Sequence, residues 1–394
     1  MTACVADEQE RLLRGPRDDL ERARRDPETW HALAFAADRT DEGRVIDRGY
    51  AARSAVLWAL QYDHRPEDLP LLRFLLRQQI TFYREVVPWG LASDLLLAGF
   101  LVAEQRQVED LWLHWSAKSI SFDTGLGYRI HHLLTGGVAA AVEAVRAAEH
   151  PDRDRILGDI ASDSGSGSGP TRYTDTAVDE WLDEQRARFP ATPADESLKD
   201  WAYHAARLGE REASRLFMTE WAAGEPRTGD VLNTLQFHLA QLGFLAEAVE
   251  VQREAVGISD ASWPGERAGR LLTLARLQRR ADDASGAWGT LEEATGHLPP
   301  DKQGMRQGLW RLFVKECFLL VPLAPDDGTA RRWLAVSDQH LEGIPRLWMD
   351  GVLDAARAAA EQAGDPQALH RHRALRQAAD AEYERETGRP PQRT

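Results

Sequence analysis

The sequence predicts an all-α protein in two parts, an N-terminal helical domain followed by an array of helical hairpins. Three observations support this fold class. Apolar residues recur at spacings of three and four along most of the chain, no segment alternates apolar and polar residues long enough for a strand, and hairpin-like segments repeat in the second half. With 394 residues, the chain exceeds what one core usually serves, so two domains or one elongated array are expected.

The clearest amphipathic helix lies within residues 66–88. Arginine and glutamine occupy one side, and the other side carries the apolar positions Leu71, Leu72, Leu75, Leu76 and Ile80. Pro88 ends the pattern because a proline cannot continue a helix. Similar patterns predict helices over residues 45–62, 90–105, 108–119, 128–148 and 175–188.

The charge and the cysteine content argue against several classes of protein, among them nucleic-acid-binding, membrane-bound and disulfide-rich proteins. A formal net charge of −15 opposes non-specific attraction to nucleic acid or to an anionic membrane surface. The two cysteines, Cys4 and Cys317, are too few for a disulfide framework or a zinc knuckle. The longest apolar run, residues 95–103, is too short to span a membrane, and the N-terminus lacks the pattern of an export signal.

From this composition we expect a cytoplasmic protein with neither nucleic acid nor membrane as partner, and the sequence indicates no cofactor and no metal site. The excess of arginine over lysine is typical of GC-rich bacterial coding, since the only lysines are Lys118, Lys199, Lys302 and Lys315. The sequence leaves the oligomeric state open.

A Gly/Ser-rich stretch, residues 161–175, interrupts the helical pattern near the middle of the chain. Glycine and serine cannot bury apolar area, so this stretch predicts a linker or loop. It lacks the lysine of a phosphate-binding loop, and no predicted strand precedes it. The sequence thus predicts three further parts. A helical domain covers residues 1–160 and has degenerate repeats as one interpretation. A repeat domain covers residues 176–385, and a disordered tail covers residues 386–394.

A repeated pattern begins near Asp195 and starts again at Gly229. The distance along the chain between these two residues is the predicted repeat length. The unit that starts at Gly229 contains the run Gly-Phe-Leu-Ala-Glu-Ala from Gly243, followed by Ala255, and it resembles the tetratricopeptide repeat. In that family a glycine turns helix A into helix B, and small residues let the two helices pack closely. The matching positions of the unit are Leu232, Leu235, Leu239, Leu245, Ala248 and Ala255.

Two further units show the same pattern. The unit one period earlier has Leu198, Trp201, Ala202, Ala205, Gly209 and Pro226 in matching places. A third unit has Leu271, Leu274, Ala275, Ala287, Leu291, Ala294 and Pro299, and it departs from the family by placing Asp282 at the turn. Weaker hairpins are predicted over residues 309–341 and 352–376.

The resemblance implies a superhelical stack in which helix A of each unit lines a concave groove that holds a peptide. Carried over by position, the groove residues are Lys199, Tyr203, Arg207, Asn233, Phe237, Gln241, Arg276 and Arg280. These positions include four cations and no carboxylate, in a chain that is strongly acidic. We therefore expect a groove that binds an acidic or C-terminal segment of a partner protein. In the alternative interpretation, Arg276 and Arg280 pair with glutamates across the helix surface.

The stretch over residues 119–134 contains Asp123, His131 and His132 and raises the question of an active site. Its aspartate, threonine and glycines favour a corner between two helices. Adjacent histidines lie about 100° apart on a helix and cannot hold one metal ion together. The alternative is that His114 approaches His131, with Asp123 as the orienting carboxylate.

The sequence therefore predicts a protein-binding scaffold, adaptor or regulator, or an immunity-type inhibitor, rather than an enzyme. The competing class is an enzyme or small-ligand sensor that uses the N-terminal domain around Asp123, His131 and His132.

Overall fold

The computed structural model describes residues 3–41, 43–160, 172–259, 265–299, 307–346, 349 and 351–388. Over these residues the fold is all-α apart from one short strand pair, and the chain divides into two compact units, Met1–Phe217 and Met218–Thr394. Within the described ranges, no helix combines the length and apolar character needed to cross a lipid bilayer.

The N-terminal unit is built mainly of short and medium-length helices. They are α1 (Ala3–Arg25), α2 (Tyr50–Tyr62), α3 (Leu69–Val86), α4 (Ser93–Glu104), α5 (Leu111–Lys118), α6 (Phe122–Gly127), α7 (His131–Leu134), α8 (Val138–Ala147), α9 (Arg153–Ile160), α10 (Asp175–Arg188) and α11 (Leu198–Arg207). A 3₁₀ helix covers Pro27–Leu33, and single 3₁₀ turns cover Pro66–Asp68, Val108–Asp110 and Pro193–Asp195. The next helix, α12 (Arg211–Gly224), runs across the boundary at Phe217.

The helix predicted within residues 66–88 is confirmed as α3. Its five predicted apolar positions are all buried in a core that α3 shares with α2 and α4. A second, smaller core joins α5, α7, α8 and α9.

Helix α10 contributes to both cores of the N-terminal unit. Val178 packs into the smaller core, while Trp181 and Leu182 pack into the larger one. The chain therefore divides at Phe217 instead of at the predicted linker, because the residues after that linker complete the cores of the residues before it. Of the predicted linker, residues 161–171 lie outside the described residues, and Thr174 caps α10.

The expectation of no strands is wrong at one place. Strand β1 (Ala37–Arg39) pairs antiparallel with β2 (Val45–Asp47), with Asp38 opposite Ile46. Strands of three residues are too short for an alternating pattern to be visible in the sequence. The helix predicted over residues 45–62 consequently begins only at Tyr50.

The helix predicted over residues 128–148 is interrupted. It splits into α7 and α8 around Gly136 and Gly137. Gly137 adopts a φ of 103°, and a Cβ on Gly136 would lie 2.7 Å from the backbone nitrogen of Val108. Both positions therefore require glycine, which breaks the helix.

The C-terminal unit is a succession of helical hairpins. Its helices are α13 (Gly229–Leu242), α14 (Leu245–Gly257), α15 (Glu266–Arg280), α16 (Ala284–Thr295), α17 (Gln307–Leu320), α18 (Asp327–Leu341), α19 (Val352–Gln362) and α20 (Pro366–Thr387). A 3₁₀ turn, Val321–Leu323, lies between α17 and α18. Each hairpin packs against the next one along the chain. The packing positions predicted for the Gly229 unit and for the third unit are buried, except that Leu245 is half-buried.

Four hairpins share one turn geometry. Gly209, Gly243, Asp282 and Gly364 each end the first helix of a pair with a positive φ, of 78°, 85°, 61° and 64° respectively. In each case the next residue donates its N–H to the carbonyl five residues earlier, at 2.9 to 3.0 Å. This is the hydrogen bond of a Schellman helix end. The interval from Gly209 to Gly243 equals the predicted period.

Replacing Asp282 with glycine is expected to raise the free energy of unfolding of the C-terminal unit by about 0.5–1 kcal/mol, because a left-handed backbone strains an L-residue. The neighbouring Asp283 provides a matched control, since its side chain accepts the N–H of Gly286 at 2.9 Å and caps α16. Asp283→Ala should lower the same free energy by about 1 kcal/mol. Chemical denaturation of the full chain measures both, and a loss of stability in Asp282→Gly would contradict the turn assignment.

The first residues of the predicted disordered tail over residues 386–394 belong to a helix. Glu386 and Thr387 belong to α20, which ends at Gly388 with a φ of 66°. Residues 389–394 lie outside the described residues.

Candidate functional site

Helix α13 presents a row of exposed side chains on one face. Asn233, Phe237 and Gln241 follow at four-residue spacing, and all three are exposed. The ring of Phe237 is 60% exposed, whereas Leu235 and Leu239 on the other faces are buried. The hairpin core therefore fixes the helix and leaves this row facing solvent.

Helix α15 adds two arginines. The Nε of Arg276 lies 4.0 Å from a carboxylate oxygen of buried Glu316, and 47% of the arginine side chain is exposed. Arg279 binds that carboxylate much more closely. Nη2 of Arg280 donates to the carbonyl of Ala240 at 2.9 Å. The proposed pairing with glutamate therefore applies weakly to Arg276, and the partner of Arg280 is a carbonyl.

The bond from Arg280 to Ala240 brings the ends of α13 and α15 together, because Ala240 directly precedes Gln241. We call the set formed by Asn233, Phe237, Gln241, Arg276 and Arg280 the α13–α15 face.

The other three predicted groove residues, Lys199, Tyr203 and Arg207, lie on α11 in the N-terminal unit. Arg207 donates to the hydroxyl of Ser93 at 2.8 Å and pairs with Asp94 at 3.2 Å. This guanidinium therefore neutralises a buried carboxylate within its own unit. Tyr203 is partly exposed, and burial together with nearby Asp200 raises the pKa of its phenol.

Three histidines of the N-terminal unit, His114, His131 and His132, lie in an aromatic cluster. Nδ1 of His114 lies 2.8 Å from the hydroxyl of Tyr128, and the Tyr128 ring stacks on His132 with centroids 3.9 Å apart. His114 thus approaches His132, at 5.6 Å between ring centroids. His131 instead packs against Trp181 and Tyr173.

Asp123 does not orient a histidine in the described part of the chain; its carboxylate binds the backbone instead. Its carboxylate accepts the backbone N–H of Gly90 at 2.9 Å. Among the described residues, no hydrogen bond or ion pair joins Asp123 to a histidine. The sequence could not reveal this, since Gly90 lies in a loop 33 residues earlier.

Burial keeps the histidine cluster neutral. It lowers the pKa of His114 to about 3 and lowers the pKa of His132 well below the usual value. Burial also raises the pKa of Tyr128. Nε2 of His114 and Nε2 of His132 are buried with no hydrogen-bond partner. With no carboxylate to share a proton, this geometry fits packing better than acid–base catalysis.

The stretch over residues 119–134 lines part of a cavity of about 760 Å³ together with α5 and α9. Three cations line this cavity that the sequence did not predict as site residues: Lys118, Arg129 and Arg155. The one available signal was that Lys118 and Arg129 have no carboxylate three or four residues away. Arg155 comes from a separate helix, so only the fold brings it there.

Both the buried packing positions and the shared turns agree with an all-α fold of paired helices. No group of three or more His, Cys, Asp or Glu side chains in the described part of the chain is arranged to hold a metal ion. Comparison with known proteins adds no relative, since no protein-family model, curated protein or solved structure matches the chain.

Proposed function

We propose that the C-terminal unit is a non-enzymatic, tetratricopeptide-like binding module that holds a peptide segment of a partner protein on the α13–α15 face. The observation that carries the proposal is the exposure of Phe237 in a row with Asn233 and Gln241 and next to two arginines. Aromatic and arginine side chains are the residue types that dominate the energetics of protein interfaces. The exposed ring offers a contact for an apolar side chain of the bound segment.

The arginines support an acidic or C-terminal segment as the occupant. Arg276 has only a 4.0 Å contact with Glu316, whose carboxylate is already bound by Arg279. Arg280 uses Nη2 on a carbonyl, and a guanidinium has five N–H donors. Both side chains can therefore form charge-assisted hydrogen bonds with an incoming carboxylate.

An adaptor, a regulator and an immunity-type inhibitor would all use this same binding step. The alternative of an enzyme or sensor built on Asp123, His131 and His132 has less support. Asp123 binds a backbone N–H, and His131 packs against aromatic rings.

The test is selection of peptides with free C-termini from a random library by the full-length chain. We expect enrichment of segments that carry aspartate or glutamate next to an apolar residue. Phe237→Ala should weaken binding of an enriched peptide about tenfold or more, and Arg276→Gln should weaken it and reduce its salt dependence.

Arg253→Gln is the matched control for Arg276→Gln. Arg253 lies on α14, pairs with Glu250, and its side chain is also 47% exposed. Its replacement should leave the affinity unchanged. Failure to enrich any peptide, or equal affinity of all three variants and the wild type, would contradict the proposed function.

A further inference from the structure

The cavity in the N-terminal unit has the size of a small-molecule site. Its volume of about 760 Å³ lies within the range typical of ligand pockets. Helices α5, α6 and α9 and the turn before α7 contribute its walls. Apolar side chains form much of the lining, among them Trp115, Ile120, Phe122, Leu126 and Ile130.

Three cations converge on this cavity, where Asp159 is the single lining carboxylate. Within the part of the chain that the structure describes, Lys118, Arg129 and Arg155 form no ion pair with a carboxylate. Arg153 behaves differently on the same helix as Arg155, since it pairs with Asp154 at 2.9 Å. Unpaired cations grouped in this way are unexpected in a chain with 63 acidic and 48 basic side chains.

Two of these cations, Lys118 and Arg155, are held in place. Nζ of Lys118 donates to the carbonyl of Gly125 at 2.5 Å and to that of Tyr128 at 3.0 Å. The guanidinium of Arg155 lies 5.2 Å above the ring of Trp115. That ring is itself fixed by a 2.9 Å hydrogen bond from its Nε1 to Asp152.

The charges around the cavity remain positive when every lining group is considered. Asp159 is the single carboxylate among the lining residues, against Lys118, Arg129, Arg155 and Arg172. Burial lowers the pKa of Lys118, and the charge of Asp159 acts in the opposite direction. The charges of Arg155 and then Arg129 lower this pKa further. An anion placed among these cations would relieve their mutual repulsion.

We propose that this cavity binds a small organic anion. Its anionic group, a carboxylate, sulfonate or phosphate, lies among Lys118, Arg129 and Arg155. Its apolar part covers Phe122 and Leu126, which share one side of α6 and are 79% and 67% exposed. The site is separate from the α13–α15 face, and His131 lies at its edge.

The test compares two dyes that differ by one charged group. The anionic dye is 8-anilinonaphthalene-1-sulfonate, and N-phenyl-1-naphthylamine is the same skeleton without the sulfonate. Titration of the full-length chain should give one binding site for the anion and an affinity about tenfold or more lower for the neutral dye. Equal affinities would overturn the proposal.

Variants locate the site. Arg129→Gln and Arg155→Gln should each weaken binding of the anionic dye about tenfold, whereas Arg153→Gln should not change it. Gly158→Leu should block binding, since Gly158 lines the cavity and a Cβ there meets no atom within 4 Å. Unchanged thermal midpoints show that the variants fold. Unchanged dye affinity in Arg129→Gln and Arg155→Gln would overturn the assignment.

Competition identifies the anionic group. Displacement of the dye by benzoate indicates a carboxylate ligand, and displacement by phenyl phosphate indicates a phosphate ligand. Displacement by benzenesulfonate indicates a sulfonate ligand, and failure of all three competitors to displace the dye would contradict the proposal.

Discussion

Replacing Arg53 with methionine is expected to lower the free energy of unfolding of the N-terminal unit by about 3–5 kcal/mol. Arg53 and Asp47 form an ion pair at 2.5 Å in which neither side chain has any exposed surface. The Asp47 carboxylate also accepts the N–H groups of Ala36 and Gly49, each at 2.9 Å. Methionine would leave this carboxylate buried without a counter-charge. Chemical denaturation of the full chain measures the loss.

A neighbouring surface pair is the control. Arg48 and Asp38 lie 3.0 Å apart, but their side chains are 69% and 43% exposed. Arg48→Met should therefore change stability by less than about 1 kcal/mol. The double variant Arg53→Met with Asp47→Asn should recover part of the loss, because the unpaired charge is gone. Equal effects of Arg53→Met and Arg48→Met would show that burial does not govern this pair.

The stability of the N-terminal unit should also fall as the pH drops below about 6.5. In the folded chain, burial lowers the pKa of His114 to about 3 and depresses that of His132, whose neighbours His114, His131 and Lys118 act in the same direction. The unfolded chain binds protons near pH 6.5, whereas the folded chain resists them. Stability is therefore complete above about pH 6.5 and declines by about 1.4 kcal/mol per pH unit for each histidine until the folded pKa is reached.

Measurement of the free energy of unfolding at pH 7.5 and pH 5 tests this prediction. His132→Phe keeps a ring against Tyr128 and removes one titrating group, so the difference between the two pH values should shrink by about 2 kcal/mol. The control is His370→Phe, at an exposed position on α20, which should leave the difference unchanged. Identical pH dependence of both variants and the wild type would contradict the buried, neutral state of His132.

Local sequence signals predicted much of the fold. The three- and four-residue spacing of Leu71, Leu75 and Ile80 located α3 and its buried side, because helical periodicity is a property of neighbouring residues. Gly209 and Gly243 marked two helix ends for the same reason. The unit boundary was missed because it depends on α10 packing into cores formed by residues far earlier in the chain.

The candidate sites also differ in whether local spacing or contacts between distant residues determine them. Asn233, Phe237 and Gln241 share a face because a four-residue spacing determines it. Arg207 pairs with Asp94 instead of lining the groove. Asp94 lies on α4, far earlier in the chain, so no local pattern reveals that contact. The cationic cavity was missed because Lys118, Arg129 and Arg155 come from three different elements.

Site-specific photocrosslinking tests the proposed partner-binding face most directly. A benzophenone amino acid would replace Phe237 in one sample and Tyr383, an exposed aromatic residue on α20, in the other. With an acidic peptide selected by the full-length chain, we expect crosslinks from position 237 and none from position 383. Crosslinks from position 383 alone, or equal yields from both positions, would contradict binding at the α13–α15 face.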